Sequence, residues 1–140
     1  MVHFLMAVHG RKKITAVFYR SDNGNEPVRD WLLELSKDDR KGVGTDIKTV
    51  EFGWPIGMPV CRPMKDGLYE VRTNLSDRRI SRVLFCFRCE KMVLLHGFIK
   101  KSQQTPKPDL DLAKQFLKSL KSSTLIFSID LISIKAFSRQ

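Results

Sequence analysis

Apolar and polar positions recur with readable periods over most of the chain. Ile14 to Arg20 (ITAVFYR) is rich in β-branched and aromatic residues and predicts a first strand, ended by the turn cluster Ser21 to Asn25. Pro27 then opens a helix whose Val28, Trp31, Leu32 and Leu35 fall at helical spacing, which marks Trp31 as a core residue. Ser36 followed by Lys37-Asp38-Asp39 reads as a helix start, and Val43, Ile47 and Val50 carry one apolar stripe to Gly53. Two helices in a hairpin follow from this, the second weakened at Gly42 and Gly44 by up to about 1 kcal/mol each relative to Ala.

Trp54 to Pro63 holds three prolines and Gly57, which predicts a surface loop without regular structure. Three strands come next, Leu68 to Thr73, Ile80 to Arg88 and Met92 to Lys100, joined by connections short enough for antiparallel hairpins. Pro106, Pro108 and Asp109 announce a last helix with Leu110, Ala113, Leu117 and Leu120 on one face. The expected fold class is α+β: a small antiparallel-rich sheet with an N-terminal helical hairpin, a short C-terminal helix, and the helices grouped on one face. Residues 1–13 read as a loosely held leader, 14–121 as the domain, and 122–140 as an atypical apolar extension. That extension (TLIFSIDLISIKAF) fits neither period cleanly and would add a strand, pack as a helix, or remain a sticky end awaiting a partner.

With 140 residues, one compact domain is expected, large enough for an apolar core without disulfide staples. The net charge of +10 favours a polyanionic partner, nucleic acid or the ribosome, over an acidic protein. Three cysteines, an odd number, argue for a reducing compartment. The N-terminus makes a poor secretory signal, and no run approaches the ~18 apolar residues of a membrane span. The cytoplasm is the expected location, with no membrane partner.

Strand parity selects the candidate chemistry. Glu70 and Arg72 look to one side of their strand, and Arg82 shares the parity of Ile80, Leu84 and Cys86 in the next, so Arg82 is expected on the same open face as Arg72. His96, Phe98 and Lys100 share parity in the third strand, and Lys101 follows. With Arg62 and Lys65 on the preceding loop, these cations could converge on one concave side as a phosphate trap, the alternative being a merely solvated outer face. His96 lies in an apolar run, so it reads either as a partly buried core histidine or as a proton-transfer group. Cys86 and Cys89 have the gap of a zinc half-site but lack a second pair, so no metal is expected. No phosphate-loop or nucleophile-elbow motif is present, and no cofactor is implied.

The segments FYRSDNGNEPVRDWLLELS, KDGLYEVR, SRVLFCF and LLHGFIKKSQQTP, taken in order, resemble the phage-derived, HigB-like branch of the RelE toxin superfamily. The resemblance covers about residues 15 to 120. It implies a microbial RNase-like α+β fold and a bacterial type II toxin that cleaves messenger RNA on the ribosome. Cleavage in that family is metal-independent, by attack of the RNA's own 2′-hydroxyl, and a cognate antitoxin, often with a helix-turn-helix, binds the toxin as a hetero-oligomer. It assigns Arg72 to phosphate contact or proton transfer, Arg82 to transition-state stabilisation, and Lys100 and Lys101 to the basic residues closing the last strand. The cations Arg62, Lys65, Arg78 and Arg79 are the further candidates for RNA binding. Family members place a catalytic tyrosine near the C-terminus. This chain has none after Lys101, which leaves His96, Lys100 or Lys101 to move the proton. A non-catalytic, degenerate RNA- or ribosome-binding protein of phage origin is the rival expectation.

Overall fold

The computed structural model describes residues 10–100 and 105–122; Lys101 and most of the expected extension lie outside the described residues. The elements in chain order are β1 (Thr15–Phe18), α1 (Pro27–Glu34), α2 (Lys37–Gly53), β2 (Cys61–Pro63), β3 (Leu68–Asn74), β4 (Ile80–Arg88), β5 (Lys91–Lys100) and α3 (Lys107–Ser122), with a single 3₁₀ turn, Ser76–Arg78, between β3 and β4. The sheet order is β1-β5-β4-β3-β2, antiparallel throughout except for β1, which runs parallel to β5. The architecture is therefore α+β with a five-strand mixed sheet.

Local chemistry explains the boundaries. Pro27 supplies the fixed φ of a first helical turn in α1, and Ser36 Oγ accepts from Asp39 N at 3.2 Å to cap α2. Cys89 and Glu90 both have positive φ (52° and 61°), giving the two-residue turn whose twist suits the β4–β5 hairpin. At the β1 edge, Glu51 of α2 is fully buried and its Oε2 accepts from Ala16 N at 2.7 Å, so an edge amide is satisfied without a further strand. Of the expected leader, Lys13 N donates to Glu51 O at 2.8 Å and Lys12 Nζ lies 3.6 Å from Glu51 Oε2.

Two expectations are corrected here. The stretch Trp54 to Pro63 is not wholly loop, because Cys61–Pro63 pairs with Tyr69–Val71 as edge strand β2. Pro63 is tolerated there since an edge strand has no second neighbour to receive its missing N–H. The helices also do not share one face of the sheet. Val71, Val83 and Phe85 pack with Val28, Leu32, Val43 and Ile47 of α1 and α2, whereas Leu68, Leu84 and Cys86 pack with Ala113, Leu117 and Leu120 of α3. Alternation places these two sets on opposite sides, so the sheet is sandwiched and buries apolar residues on both.

The core seats Trp31 on Gly97: a Cβ built on that glycine would lie 2.4 Å from Trp31 Cε3, so only glycine lets α1 close onto β5. Among the described residues no helix is long and apolar enough to cross a membrane.

Candidate functional site

On the α3 side, the register sorts the polar side chains into cross-strand rows. The first row from β2 to β5 is Arg62, Glu70, Leu84 and His96; the second is Arg72, Arg82 and Phe98; the third is Asn74, Ile80 and Lys100. Thr105 Oγ1 donates to Glu70 Oε2 at 2.7 Å, and Asp109, in the first turn of α3, meets His96. Arg88 Nη1 donates to Leu120 O at 2.6 Å at the other end of that helix. Thus α3 starts over the first row and runs toward the β4–β5 turn, leaving the second and third rows beyond its N-terminal end.

Arg72 and Arg82 stand directly opposite each other, a like-charge cross-strand pair that is unfavourable unless an anion joins it. For Arg82 that anion is Glu70, diagonal to it on β3: Arg82 Nη1 and Glu70 Oε2 are 3.5 Å apart, and both side chains are 0% exposed. The expectation that Arg82 lies open beside Arg72 is corrected by this burial. Parity had placed Arg82 among Leu84 and Cys86, which are core residues, and a guanidinium enclosed there requires a carboxylate.

Arg72 is half-buried, and its Nε has no hydrogen-bond partner among the described residues. With Asp46, Pro59, Val60 and Asn74 it lines a depression of about 310 Å³ at the sheet edge. Burial raises the Asp46 carboxyl above its ordinary range, while the Thr73 hydroxyl pulls it the other way. A second groove, of about 480 Å³, is lined by Arg62, Lys65 and Lys114 around Met64, Pro63 and Leu110. Lys114, which sequence reasoning missed, reaches the groove from α3 and sits 3.3 Å from the exposed Asp66. Its helical position facing away from the apolar stripe was the available signal.

His96 Nε2 lies 2.7 Å from Asp109 Oδ1, and its ring stacks on Phe98 at 5.7 Å between centroids. An ionised carboxylate only accepts, so Nε2 is the donor in this pair, and in the neutral ring the lone pair is then on Nδ1. Asp109 is a second residue that sequence reasoning used only as a helix-start signal. Arg79 is turned away from the rows: its Nη2 binds Asp39 Oδ2 at 2.9 Å at the start of α2. Arg78 is exposed in the β3–β4 connection, at the same end of the sheet as Lys100, which is half-buried. The fold therefore brings Arg62, Arg72, Arg82, His96 and Lys100 to one side of the sheet, holds Lys65 at the adjoining groove, and directs Arg79 elsewhere.

A family model described as phage derived protein Gp49-like matches residues 30–118, from within α1 to the last turns of α3. No curated protein matches the chain.

Proposed function

The chain belongs to the phage derived Gp49-like family, within the RelE/toxin-like superfamily, and from that premise we propose that it is a toxin acting as a metal-independent endoribonuclease on ribosome-bound messenger RNA. The observation that supports this reading best is the juxtaposition of Arg72 and Lys100 with an Asp109-oriented histidine, His96, on one side of the sheet. In the proposed reaction Nδ1 of His96 takes the proton of an RNA 2′-hydroxyl, and the 2′-oxygen bonds to the neighbouring phosphorus. The P–O5′ bond then breaks as a lysine ammonium at the end of β5 supplies the proton to the leaving oxygen. The products are a 2′,3′-cyclic phosphate and a 5′-hydroxyl. Arg72 offsets the added charge on the phosphorane with directed N–H groups, and Arg62, Lys65 and Lys114 hold the flanking backbone. A cognate antitoxin that covers this basic side is the proposed protein partner.

One observation favours the rival reading, a non-catalytic RNA- or ribosome-binding protein: the arginine that the family resemblance assigns to the transition state is enclosed with Glu70. The deciding experiment incubates purified protein with programmed ribosomes in the presence of EDTA and maps the ends of the message. Cleavage leaving 5′-hydroxyl ends, lost in Arg72→Ala and His96→Gln, supports the enzyme. Salt-sensitive ribosome binding with an intact message selects the rival.

A further inference from the structure

Among the described residues, the acids drawn in from water are Glu26, Asp39, Asp46, Glu51, Glu70 and Asp109, and each of them except Asp46 lies within ion-pair distance of a basic side chain. A half-buried carboxylate without a counter-ion loses hydration and gains no charge partner in return, an arrangement that marks functional sites. Asp46 lies on α2 and lines the depression of about 310 Å³ together with Arg72, Asn74, Pro59 and Val60. The depression opens where β2 begins. Val60 O accepts from Arg72 N at 2.9 Å, but the β2–β3 ladder reaches only Val71, so among the described residues the edge of β3 at Thr73 and Asn74 has no strand beside it.

The lining selects its ligand by chemistry. A free phosphate is repelled by the Asp46 carboxylate and a simple cation by the Arg72 guanidinium, so the depression suits a neutral group with donors and acceptors along one edge. Asn74 adds an amide that both donates and accepts, and Pro59 and Val60 supply an apolar wall for a flat ring. The volume, at the lower end of the roughly 300–1,000 Å³ of ligand pockets, fits one ring system and not a chain. Unpaired nucleobases are read in this way, on their hydrogen-bonding edges. Among the common bases guanine alone carries two adjacent donors, N1–H and N2–H, which match the two oxygens of one carboxylate, while its O6 and N7 accept from Asn or Arg. We propose that this depression is a guanine-selective base pocket, in which Asp46 accepts from N1–H and N2–H and Asn74 donates to O6. Burial of the Asp46 carboxyl, which raises its proton affinity, also removes the water that would compete for its oxygens. The inference rests on the RNA reading in either its nuclease or its binding form, because Arg72 lines the pocket and also meets the phosphate in the proposed reaction; the base read is that of the nucleotide beside the gripped phosphate.

The test measures, by fluorescence anisotropy at low salt, the binding of the full chain to short uridine RNAs that carry one central guanosine, adenosine, cytidine or inosine. The guanosine RNA is expected to bind about tenfold more tightly than the adenosine and cytidine RNAs, the discrimination of one bidentate contact. Inosine differs from guanosine only by the missing N2 amine, so the inosine RNA is expected to lose most of that advantage. This comparison needs no variant and decides the matter if Asp46→Asn fails to fold. In Asp46→Asn the ratio of guanosine to adenosine affinity is expected to fall to near one, because the amide offers one acceptor oxygen where the carboxylate has two. Salt-sensitive binding that is equal for all the RNAs, or a preference for another base, overturns the pocket and leaves the RNA reading standing. So does a guanosine preference that persists in full with inosine or in Asp46→Asn. Binding to none of the RNAs overturns the RNA reading, and the pocket with it.

Discussion

At the scale of single residues, the enclosed pair of Arg82 and Glu70 has the largest energetic consequence. Both ions have left water, and their attraction at 3.5 Å, with the Thr105 hydroxyl on Glu70, offsets a desolvation cost of several kcal/mol per ion. Removing one partner strands the other, so Glu70→Ala is expected to lower the unfolding free energy by about 3–5 kcal/mol, whereas Glu70→Leu with Arg82→Met loses far less. Urea denaturation of the two variants checks this, and an equal loss in the single and the double variant would contradict it. The same carboxylate acts on Cys61: burial first, and then the Glu70 charge, push the thiol from 9.0 up to about 11. The folded state therefore keeps a proton that the unfolded state releases, and this contribution to stability is lost as pH rises from 9.0 through about 11. At about pH 8, iodoacetamide is expected to label the exposed Cys89 and spare Cys61, as peptide mass spectrometry would show.

At the scale of elements, the contact of α1 with β5 depends on an absent side chain. Gly97→Ala places a methyl group against the Trp31 ring and is expected to cost about 1–3 kcal/mol, read as a lower melting temperature with altered Trp31 emission. That contact also shows what the sequence discloses. The helical spacing of Val28, Trp31 and Leu35 and the cap at Ser36 made α1 and α2 legible, and short polar connections made the β3–β4–β5 meander legible. Periodicity identifies the apolar stripe of a helix but not the side of the sheet that receives it, which is why α3 was expected beside α1 and α2. Edge strand β2 was hidden by Pro63, since proline argues against a strand except where one ladder is missing. Parity correctly put Arg72 and Arg82 on one side, while Arg62, expected on a loop, joins them through edge strand β2. The burial of Arg82 was foreshadowed by its apolar companions Leu84 and Cys86, yet its pairing with Glu70 depended on a diagonal register that only the assembled sheet supplies.

At the scale of the whole molecule, the excess of ten positive charges matters less than how the acids are spent. Glu70 is committed to Arg82, Asp39 to Arg79, Asp109 to His96, Glu26 to Arg20 and Arg29, and Glu51 to Lys12. Among the described residues, Arg62, Lys65, Arg72 and Lys100 have no acidic partner, and they gather at one side and edge of the sheet. Under the proposed function this surface would bind single-stranded RNA by releasing counterions, and log K would fall with log salt by about 0.7 per phosphate neutralised. Arg62→Ala with Lys65→Ala is therefore expected to flatten that slope by about 1.4, measured by fluorescence anisotropy of a labelled RNA across a salt series. Arg79→Ala removes the same kind of charge from a site already neutralised by Asp39 and should leave the slope unchanged. Equal slopes for all three proteins would locate RNA contact away from the groove. Flattening by about 0.7 in Arg79→Ala, half that of the double variant, would mean that net charge alone, irrespective of its placement, sets the affinity.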